Sequence, residues 1–281
     1  AIFPKNIFAS ISKAKPDMLQ LIFFAVICGV ALLQMDPKIA DPVIKVFTGI
    51  TEMTIKIIMM VMRLAPYGVF ALIASTVAGT QGAGLLLTLI PFSLVVVAAL
   101  LIHGIGTNSL SLIFLSKKSP KWFFSRAKEV AITAFSTSSS GATMPLTMEV
   151  TEEKLKVKSE VSGFVVPLGA TINMDGTALF QGVSAIFLAN IYGIDLTLAD
   201  QLTVVGLAVM ASIGTAAVPG VGIVILTMIL VAVGIPAEGI LFILPVNNLL
   251  DMCRTTTNVM GDMTCAVYID HKMKSDAGEI S

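Results

Sequence analysis

With 281 residues, 56% of them hydrophobic and only 13% charged, the chain is far more apolar than a soluble domain, of which roughly a quarter is charged. Eighteen Lys and Arg balance eighteen Asp and Glu, so the net charge is zero and nothing favours a nucleic-acid surface, while small ligands stay open. The three cysteines, Cys28, Cys253 and Cys265, show no CxxC or Cys/His spacing, and His103 and His271 are too few and too scattered for a metal centre.

The composition therefore predicts an all-α integral membrane protein. The chain opens AIFPKNIF, without Met and without a charged-then-apolar leader, and reads as starting inside a longer parent. Segments able to cross a hydrocarbon core of about 30 Å, which takes roughly 20 helical residues, are predicted at 18–35, 43–75 and 84–115. The second carries Lys45, Glu52, Lys56 and Arg63 on one helical face, a polar stripe for an interface or the headgroups. Pro66 is expected to kink it.

Beyond residue 116 the pattern changes. Residues 128–150 and 201–234 are each interrupted by small residues, STSSSGA at 136–142 and GTAAVPGVG at 214–222, leaving halves too short to span alone. Such a pattern predicts re-entrant helical hairpins whose tips stop within the membrane, where protein or water must satisfy the freed backbone groups. A span at 161–193 is broken at TINMDGTALF, and a last span covers 237–268. The order hairpin, broken span, hairpin, polar-faced span reads as an inverted repeat around a midplane site.

Loop charge gives the orientation. Lys117, Lys118, Lys121, Arg126, Lys128 and the lysines at 154–158 are assigned to cytoplasmic loops, whereas 76–83 and 194–200 carry no Lys or Arg. The first hairpin then enters from inside and the second from outside, with Lys5, Lys13 and Lys15 on the opposing side of that rule.

Between Lys158 and Lys272, once Asp195, Asp200 and Glu238 are assigned to loops, four charged residues remain at membrane depth: Asp175, Asp251, Arg254 and Asp262. At about 3 kcal/mol each on an insertion scale, they must be paired or ligated. In DMCRTTTNVMGD the residues Asp251, Arg254, Thr255, Asn258 and Asp262 share one face of a helix at 100° per residue. Asp251 and Arg254 alone would make an i, i+3 ion pair, but that leaves Asp175 and Asp262 unaccounted for. A ligand with an ammonium for a carboxylate and a carboxylate for the guanidinium fits the column, which describes an amino acid with an acidic side chain. The two surplus carboxylates, flanked by Asn173 and Asn258, offer hard oxygen donors to a cation such as Na⁺. Unwinding at NMDGT would free carbonyls for that cation, with Gly176 easing departure from the helix. The alternative there is a kinked helix with a satisfied polar cluster. The serine run could hold a nucleophile, yet no His or Lys base falls beside it, so no enzyme is expected. A tip of hydroxyls and free N–H groups aimed at a carboxylate is the simpler reading.

At these residues the sequence resembles the glutamate/aspartate transporter family, the dicarboxylate/amino acid:cation symporters that include the excitatory amino acid transporters. STSSSGATMPLTM, PLGATINMDGTALFQG, ASIGTAAVPGVG and DMCRTTTNVMGD occur in the family's order and spacing across most of 84–270. The resemblance implies a homotrimer in a cell membrane, plasma or inner, with no nucleic-acid partner. Residues 1–83 would be scaffold helices, 84–270 a transport domain moving as an elevator, and 271–281 a cytoplasmic tail. It implies that Arg254 binds the side-chain carboxylate of the substrate and Asp251 its amino group, with Ser139, Ser140, Thr177, Val218, Gly222, Thr255 and Asn258 completing the pocket. One sodium site would use Gly169, Asn173, Asn258 and Asp262. A second would use the carbonyls of Thr171, Ser212, Ile213 and Thr215 with Met174 close by, and a third Asn173 and Asp175. Three further leading helices, expected in the family, are absent from this sequence. Ser138 and Met252 stand where many members carry an additional arginine, and Asn247 where an aspartate is common.

Overall fold

A computed structural model describes residues 18–62, 67, 82–213 and 221–278, all of whose regular structure is helical. The chain divides into two compact units, Ala1–Tyr67 and Gly68–Ser281.

The described part of the first unit is two helices, α1 (Met18–Gln34) and α2 (Pro37–Met62). Asp36 starts α2: its side chain accepts from the Lys38 amide at 2.9 Å and its carbonyl from Ile39 and Ala40. Six residues therefore precede the expected start at 43. Lys45 and Lys56 are both exposed, while Arg63 and Pro66 lie outside the described residues. Ile27, Val30 and Leu33 on α1, and Val46, Phe47, Ile50 and Met53 on α2, are exposed apolar side chains.

In the second unit the expected span 84–115 is three pieces: α3 (Gly82–Leu101), a π-helical turn π1 (Ile102–Thr107) and α4 (Asn108–Ser116). Residues Leu87–Ser116 of this run form the one helix among the described residues that is long and apolar enough to cross a membrane. Leu94, Ile102, Ile105, Leu110 and Phe114 point outward from it. The π turn sets the register of its inner stripe. Leu100 and Leu112, both buried, would be about 120° apart in a regular helix at 100° per residue; absorbing about one residue brings them to within roughly 20°.

Two antiparallel hairpins follow, α5 (Pro120–Thr137) with α6 (Ser140–Glu153), and α9 (Leu198–Ser212) with α10 (Val221–Ala232). At 1.5 Å per residue these helices are about 18–27 Å long, short of a 30 Å core. α5 begins eight residues before the expected 128, because Pro120 sits in its first turn, where its missing N–H leaves no gap. Lys121, Arg126 and Lys128, assigned above to a loop, are therefore on α5, and Lys118 and Arg126 flank the Trp122 ring. Asp200, likewise expected in a loop, is in the first turn of α9, where it and Thr197 form a reciprocal capping box.

The broken span is α7 (Ser159–Ile172) and α8 (Asp175–Ile191), separated by Asn173 and Met174. A 3₁₀ turn, Ala237–Gly239, leads into α11 (Ile240–Asp276), which runs eight residues past the expected end. Its far end is tied down: Asp270 accepts from the Lys158 amide at 3.0 Å and pairs with Lys274 at 2.6 Å.

α11 is the axis of the unit, touching α3, π1, α4, α5, α6, α7, α8 and α10. Two hydrophobic clusters form along it. One gathers Phe92, Leu100, Phe180, Leu188, Leu226, Leu230 and Leu250; the other Leu112, Phe123, Val130, Val165, Val259 and Met263. The change from one to the other falls between Leu100 and Leu112, between Val165 and Phe180, and between Leu250 and Val259. At that seam lie the π turn, the helix break and the polar column of α11.

Candidate functional site

The polar residues of α11 occupy the seam. Arg254 is 1% exposed and is the largest fully buried side chain among the described residues. Its Nη2 donates to Asp251 Oδ1 at 2.6 Å and, more weakly, to Asn247 Oδ1 at 3.5 Å, and the guanidinium lies 4.1 Å from the Phe180 ring centroid. The i, i+3 pair thus forms, but through Nη2 alone. Nε and Nη1 are buried and make no hydrogen bond among the described residues. A buried cation with two free donors costs about 1–3 kcal/mol for each unless a ligand completes it. Gly222, opening α10, leaves room there: a Cβ on it would sit 2.9 Å from Nη1 and 3.3 Å from Thr177 Cγ2.

One turn on, Asn258 binds the start of α8. Its Oδ1 accepts from the Gly176 amide at 2.8 Å and its Nδ2 donates to Thr177 Oγ1 at 3.4 Å. The break is two residues wide and the helix resumes at Asp175, so Gly176 lies inside the first turn of α8 rather than in an unwound loop. Close approach is the reason for glycine here: a Cβ would meet the Arg254 carbonyl and Asn258 Oδ1, each at 2.9 Å. Asp175, the first residue of α8, also accepts from the Gly176 amide through Oδ1 at 2.9 Å and places a negative charge at the start of the helix.

Asp262, 1% exposed, faces the break from α11 and accepts from Asn173 Nδ2 at 2.9 Å. Gly169 and Gly261 let the helices meet. A Cβ on Gly169 would be 2.7 Å from Asp262 Cγ, and one on Gly261 2.8 Å from Asn173 Nδ2 and 3.3 Å from Asp175 Oδ2. The Asp262 carboxylate on the Asn173 amide, with Asp175 two residues further along at the break, makes an oxygen-rich setting suited to a hard cation.

The fold brings together Gly169, Asn173, Asp175, Thr177, Gly222, Asp251, Arg254, Asn258 and Asp262, and Met174 and Thr255 are buried within the same elements. Ser139 and Ser140 form the turn of the first hairpin: Ser138 adopts a left-handed conformation (φ 51°), and Ser139 caps α6 by accepting from Ala142 at 3.1 Å. Ser212 and Ile213 end α9; the Ser212 hydroxyl donates to Val209 at 2.8 Å and that of Thr171 to Leu168 at 3.0 Å. Val218 and Thr215 lie outside the described residues.

Three residues escaped the sequence reading. His103, considered above only as a metal ligand, hydrogen-bonds to Asp175 Oδ2 through Nε2. Gln181, fully buried, donates to the Gly222 carbonyl at 3.4 Å, and Gly261 supplies the close approach at Asn173. The visible hint for Gln181 and Gly261 was their place inside the quoted motifs; His103 had none, because the π turn that aims it leaves no mark in hydropathy.

The family model described as "Sodium:dicarboxylate symporter family" matches residues 1–272. A Caenorhabditis elegans protein named "Excitatory amino acid transporter" is 37% identical over 92% of this chain and 52% of its own length. The Escherichia coli (strain K12) "Proton/glutamate-aspartate symporter" is 38% identical over 97% of this chain and 62% of its own. "Excitatory amino acid transporter 3" of Mus musculus is 36% identical over 88% and 47%. The chain thus spans about half to three-fifths of the relatives it matches.

Proposed function

Since the chain belongs to the sodium:dicarboxylate symporter family, a family of transporters and not of enzymes, we propose that it carries acidic amino acids, L-aspartate or L-glutamate, across a cell membrane coupled to Na⁺. The observation that carries this reading is the half-used fork of Arg254. Nε and Nη1, buried and without a hydrogen-bond partner among the described residues, leave the guanidinium able to donate to a substrate carboxylate, while Asp251 holds Nη2 and offers a counter-charge for an ammonium. Thr177, Gly222, Thr255, Asn258, the Ser139–Ser140 turn and Val218 complete the substrate pocket in this proposal.

Sodium is cargo. With Arg254 paired to Asp251, the carboxylates of Asp175 and Asp262 leave the seam with an excess of negative charge that a monovalent cation offsets. Gly169, Asn173, Asn258 and Asp262 form one site, Asn173 and Asp175 another, and the carbonyls of Thr171, Ser212, Ile213 and Thr215 near Met174 a third. Ion and substrate binding are linked because Asn258 belongs to both sets and anchors α8 next to Arg254.

The wider architecture is part of the proposal: two re-entrant hairpins in an inverted repeat, residues 84–270 as a transport domain, 1–83 as part of a scaffold, 271–281 as a cytoplasmic tail, a homotrimer in the lipid bilayer, and elevator-type alternating access. The short hairpin helices and the common level of the helix break, the π turn and the polar column favour it.

Proton coupling is the second reading, favoured by the name of the Escherichia coli relative. Calorimetry of L-aspartate binding to the purified protein in detergent, in sodium and with choline replacing it, separates the two. Binding that requires sodium supports the symport reading; equal binding in choline transfers it to protons. Succinate competing as well as aspartate would make the protein a dicarboxylate carrier instead.

A further inference from the structure

The imidazole of His103 is the one polar group from the α3–α4 run that reaches the helix break among the described contacts, and nothing in the substrate or sodium sets above uses it. It sits on π1, where the Asn108 amide reaches back five residues to the His103 carbonyl and the Asn108 side chain donates to the Gly104 carbonyl at 3.0 Å. A π turn is an irregularity that persists where it re-aims a side chain. Here the turn is also seated against α11: a Cβ on Gly104 would touch Thr257 at 3.4 Å. The aim of His103 is therefore set by two packed elements, with its Nε2 against Asp175 Oδ2 while Oδ1 is held by the Gly176 amide.

We propose that His103 is a positioning residue for ion coupling: its Nε2–H fixes the rotation of the Asp175 carboxylate, and so the oxygen geometry offered to sodium at the break. This rests on the sodium-symport reading. A neutral imidazole is enough, since it needs only to donate one hydrogen bond. Without it the carboxylate is anchored through Oδ1 alone, and ordering it falls to the ion, which weakens sodium binding without touching the contacts of the substrate.

The test is a sodium titration of L-aspartate binding, by calorimetry, for the full chain and for His103→Leu, His103→Asn and His103→Gln. The glutamine amide places its N–H where Nε2 stands; the asparagine amide stops one bond short. Expected for Leu and Asn is a rise of about tenfold or more in the sodium concentration for half-saturation, from loss of a charge-assisted hydrogen bond, with aspartate affinity at saturating sodium within about twofold of native. Gln restores the native sodium dependence. Gln behaving like Asn and Leu would assign His103 to packing and overturn the proposal, as would Leu and Asn with native sodium dependence. If the Leu variant does not fold, the Gln and Asn pair decides. A native protein that binds aspartate without sodium defeats the symport reading and this proposal with it, whereas sodium-dependent native binding with unaffected variants defeats this proposal alone.

Discussion

Replacing Arg254 by Leu removes the guanidinium and keeps an apolar side chain against Phe180. Two effects follow from the geometry. Two charge-assisted hydrogen bonds from the guanidinium to a substrate carboxylate, at about 1.5–3 kcal/mol each, give roughly 3–6 kcal/mol of binding, or about 10²–10⁴ in Kd for L-aspartate. Separately, Asp251, whose side chain is 14% exposed, loses the cation 2.6 Å away, and breaking a buried pair from one side destabilises by roughly 3–5 kcal/mol. The effects separate in the double variant Asp251→Asn with Arg254→Leu, which removes the stranded carboxylate. It should recover most of the thermal stability and none of the aspartate affinity. Calorimetry with L-aspartate and with a neutral amino acid such as L-serine, together with thermal unfolding in detergent, reads both quantities. The Leu variant should lose aspartate selectively. Aspartate binding within about tenfold of native in the Leu variant, with the protein folded, would refute the role given to the Arg254 guanidinium.

Gly169→Ala drives a methyl into the Asp262 carboxylate and should lower thermal stability by about 1–3 kcal/mol through overpacking while raising the sodium requirement for aspartate binding, read in one titration series. Ser139→Ala removes the cap of α6 and should cost about 1 kcal/mol, whereas Ser139→Gly should cost only a few tenths, measured by thermal unfolding. At the start of α9 the Thr197 hydroxyl and amide hold the Asp200 carboxyl below its ordinary value of 3.8. Because the folded value is the lower one, this contribution is complete above 3.8 and is lost as the pH falls through the folded value. The unfolding-temperature gap between native protein and Asp200→Asn should therefore be constant near neutrality and close in strong acid; a gap that widened on acidification would reverse the sign of this account.

Hydropathy, motif spacing and helical periodicity were sufficient for the helices, the break at Asn173 and the shared face of Asp251, Arg254, Thr255, Asn258 and Asp262, because each depends on residues near one another in the chain. Helix starts were less legible: Pro120, Asp36 and the Thr197–Asp200 box moved them by several residues, since capping is decided by single side chains against backbone groups. What only the tertiary structure decided are the contacts between distant segments. Gly176 proved to be a close-approach glycine because α11 presses a carbonyl and an amide oxygen against it, which no local pattern encodes. His103 meets Asp175 across 72 residues because one extra residue in a π turn rotates the helix, a shift that hydropathy averaged over a span does not register. Which nitrogens of Arg254 lack a partner among the described residues was also settled there, by the placement of the guanidinium against Phe180 and Asp251. Local sequence determines which polar groups are at membrane depth; the packing of helices around α11 determines which of them are satisfied and which are left for a ligand.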